Sequence, residues 1–262
     1  AGGGTPRVAV ALEVDAPRSA MEEPDGRLRD VIAYEVVAVD QNKGKVRSLG
    51  GEEARVTLSP ATAGRPLPET ATYQIAQTFA LDPGRYQLRV AAESRKLARG
   101  GSVYLQITVP DFRRDALTLS GLAIGYAEGA RVATTMVEAP RRRAPARRGF
   151  VAPAAPPAAL PFAPTLDREF STEDVLTIYA EVAAKDQRAP IAGELTLAQV
   201  DGRTTRSSAF TPDARGRLRV DLPLSGLPPG AYVLRASVTS GAHASTQDVA
   251  IAVRNWSPAQ RR

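Results

Sequence analysis

The sequence predicts an all-β protein built from two antiparallel β-sandwiches, and three observations support this fold class. A nine-residue pattern occurs twice, as LDPGRYQLR at 81–89 and LPPGAYVLR at 227–235, with six identical positions. Short segments of alternating apolar and polar residues, separated by turn residues, recur about every 8–12 residues. No segment keeps apolar residues at helical spacing over several turns, so a helical fold is not expected.

The repeated pattern predicts the kind of sandwich. In each copy Pro and Gly form a turn, and Tyr and Leu then alternate along a strand. A Tyr that enters a late strand just after such a turn is typical of the tyrosine corner of immunoglobulin-like sandwiches. We therefore expect Tyr86 and Tyr232 to be structural corner residues in two immunoglobulin-like domains.

The first sandwich is predicted at residues 1–138, with 1–6 as a flexible tail. Its predicted strands lie at 8–14, 31–39, 45–48, 55–58, 73–79, in the first repeat copy (81–89), and at 102–109 and 117–124. Between two of them, 40–44 (DQNKG) shows the first spacings of a calcium-binding loop. Lys43 would repel a cation there, and the later ligands of such a loop are missing, so a hairpin turn is expected.

Residues 139–165 are predicted to be an extended linker, because seven of these 27 residues are Pro and most of the others are Ala or Arg. The second sandwich is predicted at 166–255, followed by a tail at 256–262. Residues 171–174 (STED) have the composition of a helix cap, but the alternation from 176 to 182 favours a strand. Asp201-Gly202 predicts a short hairpin between strands at 194–200 and 204–210.

Composition excludes several functions. The 262 residues include no Cys and one His, His243, so thiolate chemistry, disulfides and most zinc sites are excluded and a Ser-His-Asp triad is not expected. No apolar run approaches the roughly 20 residues that span a bilayer. The net charge of +6 lies mostly in the predicted linker, which holds five Arg and no acidic residue, whereas residues 1–138 hold 17 basic and 17 acidic residues.

The candidate partner-binding residues lie outside the predicted sandwiches: Arg141, Arg142, Arg143, Arg147, Arg148, Phe150 and Trp256. The arginines suit an acidic protein face or an anionic membrane surface. An equally weighted interpretation is that the arginines are solvated charges that keep the linker extended. Nucleic acid is not expected, because no base-stacking aromatic residues lie among the arginines. Trp256 and Phe162 have a second interpretation, in which they dock back onto the chain's own domain.

Several stretches resemble the region that follows the integrin-like domain in bacterial VWFA-related exported proteins. The matching stretches are 81–92, 101–112 (GSVYLQITVPDF), 117–124, 164–170 (PTLDREF), 176–182 and 223–236. The metal-adhesion motif Asp-x-Ser-x-Ser of the integrin-like domain is absent, so the resemblance assigns no ligand-binding residue. It implies an envelope-side, non-catalytic pair of sandwiches.

The sequence therefore predicts a non-enzymatic exported structural or interaction protein, for example an extrinsic subunit of a membrane assembly. An adhesive or carbohydrate-binding surface module is the alternative. No cofactor, metal or small-molecule substrate is expected. The start at Ala-Gly-Gly-Gly fits a mature product after signal-peptide removal, and so a periplasmic or cell-surface location, but it fits a trimmed fragment equally well.

Overall fold

The computed structural model describes residues 6–58, 69–129, 133–137, 160–186 and 188–256. Within these residues the chain is almost entirely β-structure, which confirms the predicted all-β fold class. In chain order the elements are β1 (Arg7–Pro17), α1 (Arg18–Met21), β2 (Leu28–Asp40), β3 (Val46–Leu58), β4 (Thr70–Ala80), β5 (Gly84–Ser94), β6 (Arg99–Val109), β7 (Leu117–Leu119), β8 (Ala123–Tyr126), β9 (Ala133–Val137), β10 (Glu169–Ser171), β11 (Val175–Ala184), β12 (Ala192–Gln199), β13 (Thr204–Phe210), β14 (Arg217–Pro223), β15 (Gly230–Ser240) and β16 (His243–Arg254).

The described residues form two compact units. The first sandwich, residues 7–109 with 133–137, has a four-stranded antiparallel sheet in the order β3-β2-β5-β6 and a three-stranded sheet in the order β1-β4-β9. Alternate residues of β2 are buried, as expected for a strand with one face on the core. Its core includes Met21, Ile32, Tyr73 and Phe79.

The second sandwich, residues 110–129 with 162–256, has a five-stranded sheet in the order β10-β16-β15-β12-β13. Its other sheet is centred on β11, which pairs with β14 along one edge and with both β8 and β7 along the other. The core of this sandwich includes Leu119, Phe170, Leu176 and Tyr232.

Both sandwiches share one pairing scheme. In the first, β1 pairs with β4, and β3-β2-β5-β6 form the other sheet; in the second, β11 pairs with β14, and β13-β12-β15-β16 form the other sheet. The six strands β1–β6 thus correspond in order to β11–β16. The repeated nine-residue pattern marks the same position in each, at the start of β5 and of β15.

The chain is divided differently from the predicted boundaries of 1–138, 139–165 and 166–255. Residues 117–119 and 123–126, expected in the first sandwich, pair with β11 of the second. Residues 133–137 return to the first sandwich, where β9 runs parallel to β4. Phe162, expected in the linker, belongs to the second sandwich. Alternating residues identify a strand, but they do not specify which sheet that strand joins.

Candidate interaction surface

The two repeat tyrosines make the same hydrogen bond. The Tyr86 hydroxyl donates to the carbonyl oxygen of Asp82 at 3.0 Å, and the Tyr232 hydroxyl donates to the carbonyl oxygen of Pro228 at 2.7 Å. Each acceptor lies four residues before its tyrosine, at the turn that leads into the strand. Both bonds have the geometry of a tyrosine corner, which gives these two residues a structural role.

Two weaker candidates for metal binding or catalysis, residues 40–44 and His243, lie in ordinary structural positions. The carboxylate of Asp40 accepts hydrogen bonds from the backbone N–H groups of Asn42 and Lys43, so this segment is the turn of the β2–β3 hairpin. His243 is exposed at the first residue of β16. Among the described residues, no group of three or more His, Asp or Glu is arranged to hold a metal ion.

The two aromatic residues near the ends of the second sandwich contact that sandwich. The Phe162 ring lies edge-on to the Tyr179 ring, with a centroid separation of 6.2 Å. A side-chain carbon added at Gly125 would come within 2.5 Å of Phe162, so this ring also covers the backbone of β8. The carbonyl oxygen of Trp256 accepts a hydrogen bond from Ser171 at 3.2 Å, and the Trp256 residue is half-buried.

The other predicted partner-binding residues, namely Arg141, Arg142, Arg143, Arg147, Arg148 and Phe150, lie outside the described residues. Their proposed role in partner or membrane binding stays a prediction.

Sequence reasoning missed the most exposed apolar segment of the first sandwich, which is strand β6. Val103, Tyr104 and Leu105 are 52%, 62% and 41% exposed. Consecutive residues of a strand point to opposite faces, so β6 is uncovered on both faces at this point. The guanidinium carbon of Arg89, on the adjacent strand β5, lies 5.6 Å from the centre of the Tyr104 ring. We call residues 100–108 the β6 surface.

The second sandwich shows why the β6 surface is uncovered. Gly84 pairs with Val109 and Gly230 pairs with Val253, so Val103 corresponds to Gln247 and Leu105 to Val249. In the second sandwich β7 lies across this part of β16. The backbone N–H of Leu119 donates to the Ser245 hydroxyl at 3.1 Å, and the Gln247 side-chain amide donates to the Leu119 carbonyl oxygen at 3.3 Å. Among the described residues, the first sandwich has no strand in the position of β7.

The β6 surface also differs in charge from the long edge strands β1 and β14. Residues 100–108 contain no charged residue and no Pro. Edge strand β1 carries Arg7, Glu13 and Asp15 and ends at Pro17, and edge strand β14 carries two arginines and Asp221 and ends at a proline. Charges and prolines on an edge oppose pairing with a further strand. This lack of charge is the sequence signal that could have identified the surface.

The interior of the first sandwich offers little room for a ligand at the place where its two sheets leave a gap. A cavity of about 10 Å³ lies between Val10, Ile75 and Phe79 of one sheet and Tyr34, Val36 and Val90 of the other. This is near the minimum volume for a single water molecule. The polar groups at its wall are engaged in part with each other, since the Tyr34 hydroxyl donates to the Gln77 side-chain oxygen at 2.8 Å.

Neither the comparison with protein-family models nor the comparison with curated proteins finds a match. Among solved structures, the chain is similar to a tetra-tandem repeat in the extending region of a large adhesion protein, with 12% identity and a TM-score of 0.30 over 95% of this chain and 50% of that one. It is also similar to red sea bream transglutaminase (10% identity, TM-score 0.27, 97% and 30% covered) and to Escherichia coli alpha-2-macroglobulin activated by porcine elastase (10%, 0.31, 94% and 23%).

The chain therefore spans half or less of the length of these proteins, and likenesses of this degree carry no information about its function. The resemblance to VWFA-related proteins stays a prediction. In the described part of the chain, no helix has the length and apolar composition needed to cross a membrane.

Proposed function

We propose that the chain is a non-enzymatic structural or interaction protein that binds another protein chain through the first sandwich. The observation that supports this most strongly is the β6 surface, where three consecutive apolar or aromatic side chains are exposed on a sheet edge. An edge strand with unpaired backbone groups is a template for strand addition, and exposed Tyr side chains are frequent anchors at protein interfaces.

The hydrogen bonds of two buried carboxylates, those of Asp30 and Asp174, support a structural role for these residues. The buried Asp30 carboxylate accepts from the Ser94 hydroxyl at 2.6 Å and from the backbone N–H groups of Val31 and Lys96. These contacts fasten the start of β2 to the β5–β6 turn. In the second sandwich, the buried Ser171 donates its backbone N–H to the Asp174 carboxylate. Both carboxylates thus hold the backbone in place.

The proposal keeps an envelope-side location and a contribution from Arg141, Arg142, Arg143, Arg147 and Arg148. Near an anionic membrane each arginine contributes about 1 kcal/mol, so five together suffice to hold the chain at the surface. Replacing all five with Ser should abolish co-sedimentation with phosphatidylglycerol vesicles and leave thermal stability almost unchanged. Phosphatidylcholine vesicles are the control. Equal sedimentation of wild type and variant with anionic vesicles would remove the arginines from the proposal.

Site-specific photo-crosslinking tests the role of the β6 surface. A photoreactive phenylalanine analogue is placed at Tyr104 in the full chain, which is then expressed in its native cells. The same analogue at Val200, which is 71% exposed on the second sandwich, is the matched control. We expect a protein adduct from position 104 that is absent from position 200. Equal labelling at the two positions, or no protein adduct at 104, would contradict the proposal.

The alternative, an adhesive or carbohydrate-binding module, has one specific observation in its favour. Sugar rings stack on exposed aromatic faces, and Tyr104 is the most exposed of the tyrosines in the described residues. Arg89 approaches one face of this ring, so a sugar would use the other. Binding to a glycan array that is lost in Tyr104→Ser and retained in Val200→Ser would favour this function over protein binding.

A further inference from the structure

We infer that the β6 surface pairs with the same surface of a second copy of this chain, which joins two first sandwiches into one continuous β-sheet. This inference rests on the proposed function and names the partner. The pairing would link two four-stranded sheets, each ordered β3-β2-β5-β6, through their β6 edges. A contact of this kind has two-fold symmetry, because the same residues act on both sides.

The first argument for this pairing comes from the backbone of β6. One edge of β6 pairs with β5 over all eleven residues, from Arg99 with Ser94 to Val109 with Gly84. In the described part of the structure, no strand pairs with the other edge. Alternate N–H and C=O groups along β6 therefore point away from β5, over a length greater than a typical strand. An antiparallel strand would satisfy them.

The second argument comes from the side chains of β6, which complement each other in an antiparallel self-pairing. With the two-fold axis at Leu105, Val103 faces Ile107 of the other copy, and Ser102 faces Thr108. Aliphatic residues face aliphatic residues, and hydroxyl-bearing residues face hydroxyl-bearing residues, so apolar side chains meet on the inward face of the sheet. Cross-strand pairs of branched aliphatic residues stabilise a sheet, and Leu105 meets its own counterpart on the axis.

The absence of charge on this edge is the third argument. Residues 100–108 contain no Lys, Arg, Asp or Glu, so self-pairing with its axis at Leu105 places no like charges opposite each other. A second copy therefore matches this edge in hydrogen bonding and apolar pattern, and no charge on residues 100–108 opposes it.

Sedimentation equilibrium of the purified full chain tests the inference, from low to high micromolar concentration. We expect the wild-type chain to be dimeric. Leu105→Lys puts two lysines face to face on the axis and should give a monomer throughout the range. The side chain is 41% exposed, so the variant should fold, which its far-ultraviolet circular dichroism checks. Val200→Lys, also an exposed apolar residue changed to Lys, should remain dimeric.

A pair of charged variants tests the register, in which Ser102 faces Thr108 of the other copy. Ser102→Glu with Thr108→Glu places like charges opposite each other at two points and should weaken dimerisation roughly tenfold. Ser102→Glu with Thr108→Lys places opposite charges there and should keep the dissociation constant close to that of the wild type. A Glu/Lys variant as weak as the Glu/Glu variant would overturn the register with its axis at Leu105.

A wild-type chain that remains monomeric at high micromolar concentration would overturn the inference, as would a dimer that Leu105→Lys leaves intact. These outcomes are separable from failure of the proposed function. A monomeric chain that still gives a heterologous adduct from position 104 keeps the interaction surface and assigns it to another protein. A monomer in which the amides of residues 100–108 resist hydrogen exchange would assign the edge to another segment of the same chain.

Discussion

The two sandwiches have the same six-strand framework, but they differ in the additional strands that pair with it. In the second sandwich β7 and β8 lie beside β11, and β10 runs parallel to the last residues of β16. These three short strands contribute five buried apolar side chains to the core: Leu117, Leu119, Ile124, Tyr126 and Phe170. In the described residues the first sandwich has no counterpart of these strands. Its additional strand, β9, lies instead beside β4.

The difference shows that the exposure of an apolar residue on a strand depends on which elements pack against that strand. Val103 and Leu105 occupy the inward-facing positions of β6, beside the buried Val90 and Leu88 of β5. The equivalent positions of β16 are Gln247 and Val249, and there the more polar strand is the one that is covered. At this position β7 covers the second sandwich, whereas in the described residues the first sandwich presents an inward-type face to solvent.

The largest expected effect concerns the strand that covers the second sandwich. Leu119→Ala removes a side chain that is 1% exposed and should lower the free energy of unfolding of this sandwich by about 2–5 kcal/mol. Leu105→Ala, on the uncovered strand of the first sandwich, should change the stability of the monomeric chain, measured at a concentration below that of dimerisation, by no more than about 0.5 kcal/mol.

Urea unfolding measures both changes. Trp256 is the only Trp of the chain, and it is a half-buried residue of the second sandwich, so its fluorescence follows that unit, while circular dichroism follows both. Similar losses from the two substitutions would mean that β6 is as well covered as β16, and the contrast between the sandwiches would disappear.

A smaller effect is expected at the two tyrosine corners. Tyr232→Phe removes a hydroxyl from a residue with no exposed surface, and this hydroxyl also accepts a bond from the Gln199 amide at 3.4 Å. It leaves the Pro228 carbonyl without this donor, so we expect a loss of about 1–3 kcal/mol in the second sandwich. Tyr86→Phe should cost about 0.5–1.5 kcal/mol in the first, because Tyr86 is slightly exposed and its bond is longer.

Urea unfolding with the same two probes compares them, with Tyr104→Phe as the control for loss of an exposed hydroxyl. A larger loss from Tyr86→Phe than from Tyr232→Phe would contradict the explanation by burial.

Much of this framework is predictable from local sequence, because turns and alternation are local properties. Asp201-Gly202 correctly predicted the β12–β13 hairpin, and the alternation after Asp174 correctly favoured strand β11 over a helix. The sheet that a strand joins depends on distant residues, so β7 and β8 were assigned to the wrong sandwich. The β6 surface was missed for the same reason: residues 102–109 show an ordinary strand pattern, and they are exposed because no strand among the described residues covers them.

The smallest expected effect compares two turns with the same Asp-x-x-x-Arg spacing, one before β2 and one before β14. Asp25 lies 2.6 Å from the Arg29 guanidinium, and Asp213 lies 2.7 Å from that of Arg217. The side-chain hydrogen bond from Arg217, followed by the Arg217 backbone N–H, lowers the pKa of Asp213 from 3.8 to about 2. The pKa of Asp25 is lowered mainly by the backbone N–H of Arg27.

These causes predict unequal responses. Arg217→Ala should raise the pKa of Asp213 back toward 3.8, whereas Arg29→Ala should move the pKa of Asp25 much less, because the Arg27 N–H remains. Both pKa values lie below those of the unfolded chain. The two turns therefore stabilise the fold at a pH above 3.8, and the contribution of Asp213 is lost as the pH falls from 3.8 toward 2. Carboxyl-carbon NMR titration measures each pKa, and equal shifts in the two variants would show that the arginine side chain dominates in both turns.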